Sequence, residues 1–214
     1  MTTTLAPKPQ YRGMLHLVAF PVSLVTGALL LIAVADDPAE RWACLVYTAA
    51  TAILFGVSAL YHRGHWEPAL RARLRRLDHS NIFLMSAGTY TPLCIALLEG
   101  TAQRVVLAVV WTGALAGIVF RVAWLAAPPW VYTPFYVALG WVAVTVLPAL
   151  AQAGGTAVIA LMIAGGLAYS AGGVVYALRR PDPSPAVFGY HELFHTGTII
   201  GFACHYLAVV LAVG

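Results

Sequence analysis

Residues 13–35 read GMLHLVAFPVSLVTGALLLIAVA, and whether this run is a leader peptide or a membrane-spanning helix decides the fold. It contains no Asp, Glu, Lys or Arg. At 1.5 Å per residue, about 20 apolar residues cross the hydrocarbon core of a bilayer as a helix. The end of the run, Ala33-Val34-Ala35 before Asp36, resembles a small-residue cleavage site. A secretory leader, however, has an apolar region of only about 7–15 residues. This run is longer, and six more apolar stretches follow it. It is read as an uncleaved first helix.

The six stretches cover 41–61, 79–98, 104–124, 132–150, 155–178 and 190–213. The expectation is an all-α membrane protein of seven transmembrane helices. The fifth span is the weakest, because it carries Pro134 and Pro148 and begins after the Pro128-Pro129 turn. Prolines are tolerated in membrane helices, where neighbouring groups satisfy the freed carbonyls. Residues 1–11 are expected to form a cytoplasmic tail and 12–214 a single transmembrane domain, since no loop is long enough for a soluble unit. Composition agrees: 61% of residues are hydrophobic and 9% charged, against about 25% charged in a soluble domain. Cys44, Cys94 and Cys204 all lie in apolar runs and read as packing residues, not a disulfide framework.

Basic residues set the orientation. With the N-terminus inside, ten of the twelve Lys and Arg (Lys8, Arg12, Arg63, Arg71, Arg73, Arg75, Arg76, Arg121, Arg179 and Arg180) fall on the cytoplasmic side. Only Arg41 and Arg104 face outward. The positive-inside rule then predicts a cytoplasmic N-terminus and an external C-terminus. The net charge of +4 is a topology signal of short loops and points to no nucleic-acid partner. Trp42, Trp66, Trp124, Trp130 and Tyr132 fall at the predicted interfaces, as an aromatic belt does.

Ionisable residues inside membrane spans are costly and mark function by default. On this topology they collect at one depth. His62 ends the second span, with Ser58 one turn before it. Asp78 opens the third, and His191 and His195 open the seventh with an i, i+4 spacing that puts both on one face. His16 lies one turn into the first span from the same side. Two His one turn apart and a third from another helix are the ingredients of a three-His zinc site with an open fourth position. A zinc there would bring the pKa of its water to about 7. Asp78 would act as an outer acceptor or as a base, and Ser58 would hydrogen-bond a ligating His or a substrate carbonyl. His79 and His65 are expected to be solvated, and His205, too deep for the site, to bond another helix.

These residues carry a resemblance. Ser58-Ala59-Leu60-Tyr61-His62, then Leu77-Asp78-His79-Ser80-Asn81-Ile82 running to Ala87-Gly88-Thr89-Tyr90-Thr91-Pro92, and finally His191-Glu192-Leu193-Phe194-His195 look like the three signatures of the progestin and adiponectin receptor (PAQR) superfamily. The match is closest to its bacterial branch, the hemolysin III family, which Tyr11-Arg12-Gly13-Met14-Leu15-His16-Leu17 also resembles. The resemblance implies Zn2+ near the cytoplasmic leaflet on His62, His191 and His195, with its water held by Asp78 and Ser58 close by. It implies a multi-pass protein of the bacterial plasma (inner) membrane. Some members of the superfamily are reported to hydrolyse ceramide amides, and the bacterial branch has been linked to membrane lipid homeostasis.

His191-Glu192-Leu193-Phe194-His195 is also a literal H-E-x-x-H, in which Glu would be the base of a metalloprotease. That scheme leaves His62 and Ser58 without roles, and so short a motif recurs by chance. The expected function is zinc-dependent hydrolysis of a lipid amide or ester, with membrane lipids as partners and Asp78 as proton acceptor. The alternative is a non-enzymatic sensor, regulator or cytolytic pore whose zinc is structural.

Overall fold

The computed structural model describes residues 8–214, so the first seven residues of the tail expected over 1–11 lie outside the described residues. The described chain is helical throughout: α1 (Met14–Ala33), α2 (Pro38–Arg63), α3 (Pro68–Leu97), α4 (Gly100–Ala123), α5 (Pro129–Gly140), α6 (Leu147–Leu178) and α7 (Tyr190–Val213), with a 3₁₀ turn at Val142–Val146. Five helical stretches are long and apolar enough to cross a membrane: α1, α2, α4, α7 and the continuous run Pro129–Leu178.

Local chemistry starts and stops these elements. Asp37 caps α2, its carboxylate accepting from the backbone N–H groups of Ala39 and Glu40 at 2.8 and 2.9 Å, with Pro38 at the first helical position. Glu192 reaches back from the first turn of α7 to the Gly189 N–H at 2.9 Å. Inside the fifth predicted span the chain departs from expectation. Helix α5 stops at Gly140, the 3₁₀ turn follows, and helix resumes at Leu147. The helical backbone then breaks at Gly155, where φ is +73° and ψ is 178°, a conformation that suits glycine.

Helix α3 starts eleven residues earlier than its apolar segment, because the basic stretch after Pro68 is helical too. It is the central helix, packed against α2, α4, α5, α6 and α7. Its hydroxyl groups are turned to internal use. Ser86, Thr89 and Thr91 donate to the carbonyls of Ile82, Met85 and Ala87, four residues back, and Tyr90 donates to Gly140 O at 2.8 Å. This is why α3 is less apolar than its neighbours yet well buried. Helix α1 is the opposite case: Val18, Val25, Leu29 and Ile32 are exposed on its outer face. Such a surface suits hydrocarbon, where only self-satisfied helices persist.

The tightest helix pair, α6 with α7, closes through glycines. A Cβ on Gly197 would stand 2.8 Å from Ala168 O, and one on Gly172 would stand 3.2 Å from Phe194 O. Small residues at such crossings let two backbones approach closely and gain dispersion energy that lipid contact cannot supply. This contact fixes the α7 face that carries His191 and His195.

Candidate metal centre

The three histidines singled out by spacing meet. His62 comes from the last turn of α2, and His191 and His195 from the first two turns of α7. All three are buried, and one nitrogen from each lies within 4.8 Å of the others. His62 Nε2 and His191 Nε2 are 3.2 Å apart. Two nitrogens of a tetrahedral zinc site with ~2.05 Å bonds are separated by about 3.3 Å. The donor set, its spacing and its burial therefore fit a zinc ion.

Asp78 stands at the same nitrogen. Its Oδ2 is 3.6 Å from His62 Nε2, the atom aimed at His191, not at the other ring nitrogen. A carboxylate that merely oriented His62 from outside would sit at Nδ1. The position favours the role of base or water-holding group over that of outer orienter. Asp78 lies well inside α3 and does not open it, since the helix begins at Pro68. Ser58 is buried one turn before His62 and lines the same cavity as Asp78.

His16 also joins the cluster, but by stacking. Its ring lies parallel to that of His195, centroids 3.7 Å apart and planes 2° apart. Neither of its ring nitrogens has a hydrogen-bond partner among the described residues.

Glu192 belongs to the scaffold. Its side chain is 1% exposed; Oε1 accepts from Arg12 Nε at 2.6 Å while Oε2 caps its own helix. Both oxygens are thus committed away from the histidines, which leaves the H-E-x-x-H protease scheme without a free base. The Arg12 pair belongs to an N-terminal strap: Gln10 and Tyr11 donate backbone N–H groups to Ala186 O and Val187 O. Lys8 Nζ donates to His62 O and Gly64 O at the end of α2. Burial, and after it the charge of Arg71, pushes the Lys8 ammonium below its ordinary value. Gly13 completes the strap with φ +78°, and a Cβ there would lie 2.6 Å from His62 Cβ.

Four side chains differ from the sequence reading. His79 is buried, not solvated: its Nδ1 bonds Arg75 O at 2.9 Å and its Nε2 lies 3.2 Å from the Tyr176 hydroxyl. The early start of α3 places residue 79 inside the bundle, against α6. Tyr132, expected at the interface, is 1% exposed, and its hydroxyl lies 3.3 Å from that of Tyr176. Arg121, read as a loop charge, is fully buried, with its guanidinium 4.0 Å over the Tyr132 ring. Tyr176 was not singled out, and only its position one helix across from His79 reveals it. Two other histidines lie as expected. His65 is exposed, and His205 Nε2 donates to Met162 O on α6 at 3.1 Å. Trp42, Trp124 and Trp130 are exposed.

The cluster opens onto a cavity lined by residues of α1, α2, α3, α5, α6 and α7. His16, Ser58, Asp78 and His195 line one end; Trp141 and His205 line the other. The walls between are mostly apolar.

A family model described as haemolysin-III related matches residues 5–206. Hemolysin-3 of Bacillus cereus is 30% identical over 159 residues, 74% of this chain and 71% of that protein. A hemolysin-3 homolog of Bacillus subtilis (strain 168) is 30% identical over 137 residues, 64% of this chain and 62% of that protein. Apolar helices of spanning length and these matches together identify a multi-pass membrane protein, and the chain belongs to the haemolysin-III-related family.

Proposed function

We propose that this protein is a zinc-dependent hydrolase acting on an amide or ester bond of a membrane lipid, in the bacterial plasma membrane. In this reading the chain crosses the bilayer seven times with its N-terminus in the cytoplasm, the apolar run Pro129–Leu178 supplying two spans separated by its irregular turns. The observation that carries the proposal is a carboxylate, Asp78, placed at the face of three clustered imidazoles that open into an apolar cavity.

His62, His191 and His195 would hold the zinc. A zinc ion in such a site polarises a carbonyl and makes water a nucleophile near neutral pH. Asp78 Oδ2 would take the proton from the attacking water and return it to the nitrogen or oxygen of the leaving group, so the carboxylate ends as it began. The Ser58 hydroxyl would donate a hydrogen bond to the carbonyl oxygen as negative charge gathers there. The apolar cavity would take the acyl chain, and a lipid would enter sideways from the bilayer.

The test pairs metal content with turnover on lipid amides and esters in reconstituted protein. Asp78→Asn should keep the metal and lose turnover by roughly 10²–10⁴-fold, the usual worth of a general base. Wild-type protein with stoichiometric zinc that cleaves neither amide nor ester, or an Asp78→Asn protein with full activity, would make the zinc structural and the role that of a sensor or regulator.

A further inference from the structure

Beside the imidazoles stands a polar wall to which the hydrolysis above assigns no role. Tyr176 of α6 touches His191 edge-on, ring centroids 5.6 Å apart, and its hydroxyl meets His79 Nε2 on one side and the Tyr132 hydroxyl on the other. Tyr176, Tyr132 and His79 all line the cavity.

The direction of these bonds can be worked out. Arg75 O is a carbonyl and only accepts, so His79 Nδ1 carries a hydrogen and donates to it. Asp78 Oδ2, 3.6 Å from the same Nδ1, favours that tautomer as well. In a neutral imidazole Nε2 is then the acceptor, and the Tyr176 hydroxyl must donate to it. Tyr132 in turn donates to Tyr176. The Arg121 guanidinium over the Tyr132 ring draws electron density from that phenol and strengthens it as a donor. The relay runs one way, Tyr132 to Tyr176 to His79 to Arg75 O. Its donors are used up, while the Tyr176 oxygen, which accepts once from Tyr132, keeps a second lone pair, and Tyr176 lines the cavity. That lone pair can accept one further hydrogen bond.

We propose that Tyr176 is a ligand-binding residue whose oxygen accepts a hydrogen bond from an N–H or O–H group beside the scissile carbonyl of the bound lipid. The inference rests on the proposed hydrolase reading for the identity of that carbonyl. It assigns Tyr132 and His79 to positioning: they hold the Tyr176 hydroxyl so that it presents an acceptor and not a donor. A ligand with a donor next to its carbonyl is then set with that carbonyl towards the histidines, and one without it loses this anchor.

The probes are three fluorescent lipids of equal chain length: a secondary amide, its N-methylated amide and the corresponding ester. Binding is measured by anisotropy on reconstituted full-length protein carrying Asp78→Asn, with and without Tyr176→Phe, so that turnover does not enter. The expected result is about three- to tenfold tighter binding of the secondary amide than of the other two, as one net hydrogen bond gives. Tyr176→Phe should erase that preference while leaving the affinities for the N-methyl amide and ester in place. Equal binding of all three probes before the substitution would overturn the proposal. So would a preference that survives it, or an equal loss for all three probes, which would mark Tyr176 as structural. Wild-type protein that hydrolyses none of the three would refute the hydrolase reading alone, since the binding comparison stands without it.

Discussion

His195 and His205 lie on the same helix, α7, ten residues apart, and do different things. His195 stacks on His16 and shares a cluster with His62 and His191, where four imidazoles crowd into one buried corner. His205 donates to a single backbone carbonyl of α6, and a Cβ on Gly165 would stand 2.5 Å from its ring. The first is a set of donors with no internal acceptor for all of them, an arrangement that a cation relieves. The second is a single crosslink between two helices through Nε2, with Nδ1 left without a partner among the described residues. A histidine in a membrane helix is thus explained by what meets its nitrogens, and the residue type alone says little.

The largest expected effect comes from His195→Ala. Removing one of three ligands should abolish stoichiometric zinc, read by elemental analysis, and any hydrolysis with it. Full metal retention would dissolve the contrast between the two histidines. Next in size, Gly13→Ala should be strongly destabilising, because it forces a side chain into a left-handed backbone and against His62 Cβ. A loss of about 1–3 kcal/mol, measured as a lowered melting temperature in detergent, is expected, with weakened metal retention. An unchanged Tm would mean that the strap does not hold α2 in place.

Arg12→Gln is the third test. It leaves the buried Glu192 carboxylate with only its own helix N-terminus, so thermal stability should fall by up to roughly 1–3 kcal/mol, discounted because Arg12 is 22% exposed. Activity of the surviving folded protein should persist. A Glu192→Gln variant with wild-type Tm but no turnover would revive Glu192 as a base. The smallest effect belongs to the other side of the comparison. His205→Phe removes one interhelical bond, worth about 0.6 kcal/mol on average in a membrane protein, and should leave zinc content unchanged. Lost zinc in that variant would join the two regions into one site.

Much of this was legible in the chain. The i, i+4 pair at His191 and His195 shares a face in any helix, so its convergence needed no structure. The apolar runs likewise announced the membrane, because hydrocarbon admits few charges. The misread residues share another cause. Distance from span ends says little about Tyr132 and Arg121, and α3 extends eleven residues ahead of its apolar part and carries His79 into the bundle. Burial of Arg121 and Tyr132 follows from the same packing, since each screens the other from lipid. The backbone break at Gly155 falls where the sixth span was expected to begin, whereas the 3₁₀ turn at Val142–Val146, inside the fifth, leaves little trace in hydropathy.

Composition and periodicity by themselves determined that this is an all-helical membrane protein and which histidines share a helical face, because both depend on short-range geometry and on transfer from water. Tertiary structure alone decided that His62 aims its Nε2 at His191, that Asp78 stands at that same nitrogen, and that Glu192 is tied to Arg12. It also placed Tyr176 between His191 and His79. Each of these joins residues far apart in the chain through close helix packing, and no local pattern encodes which side chains such packing brings within a few ångströms.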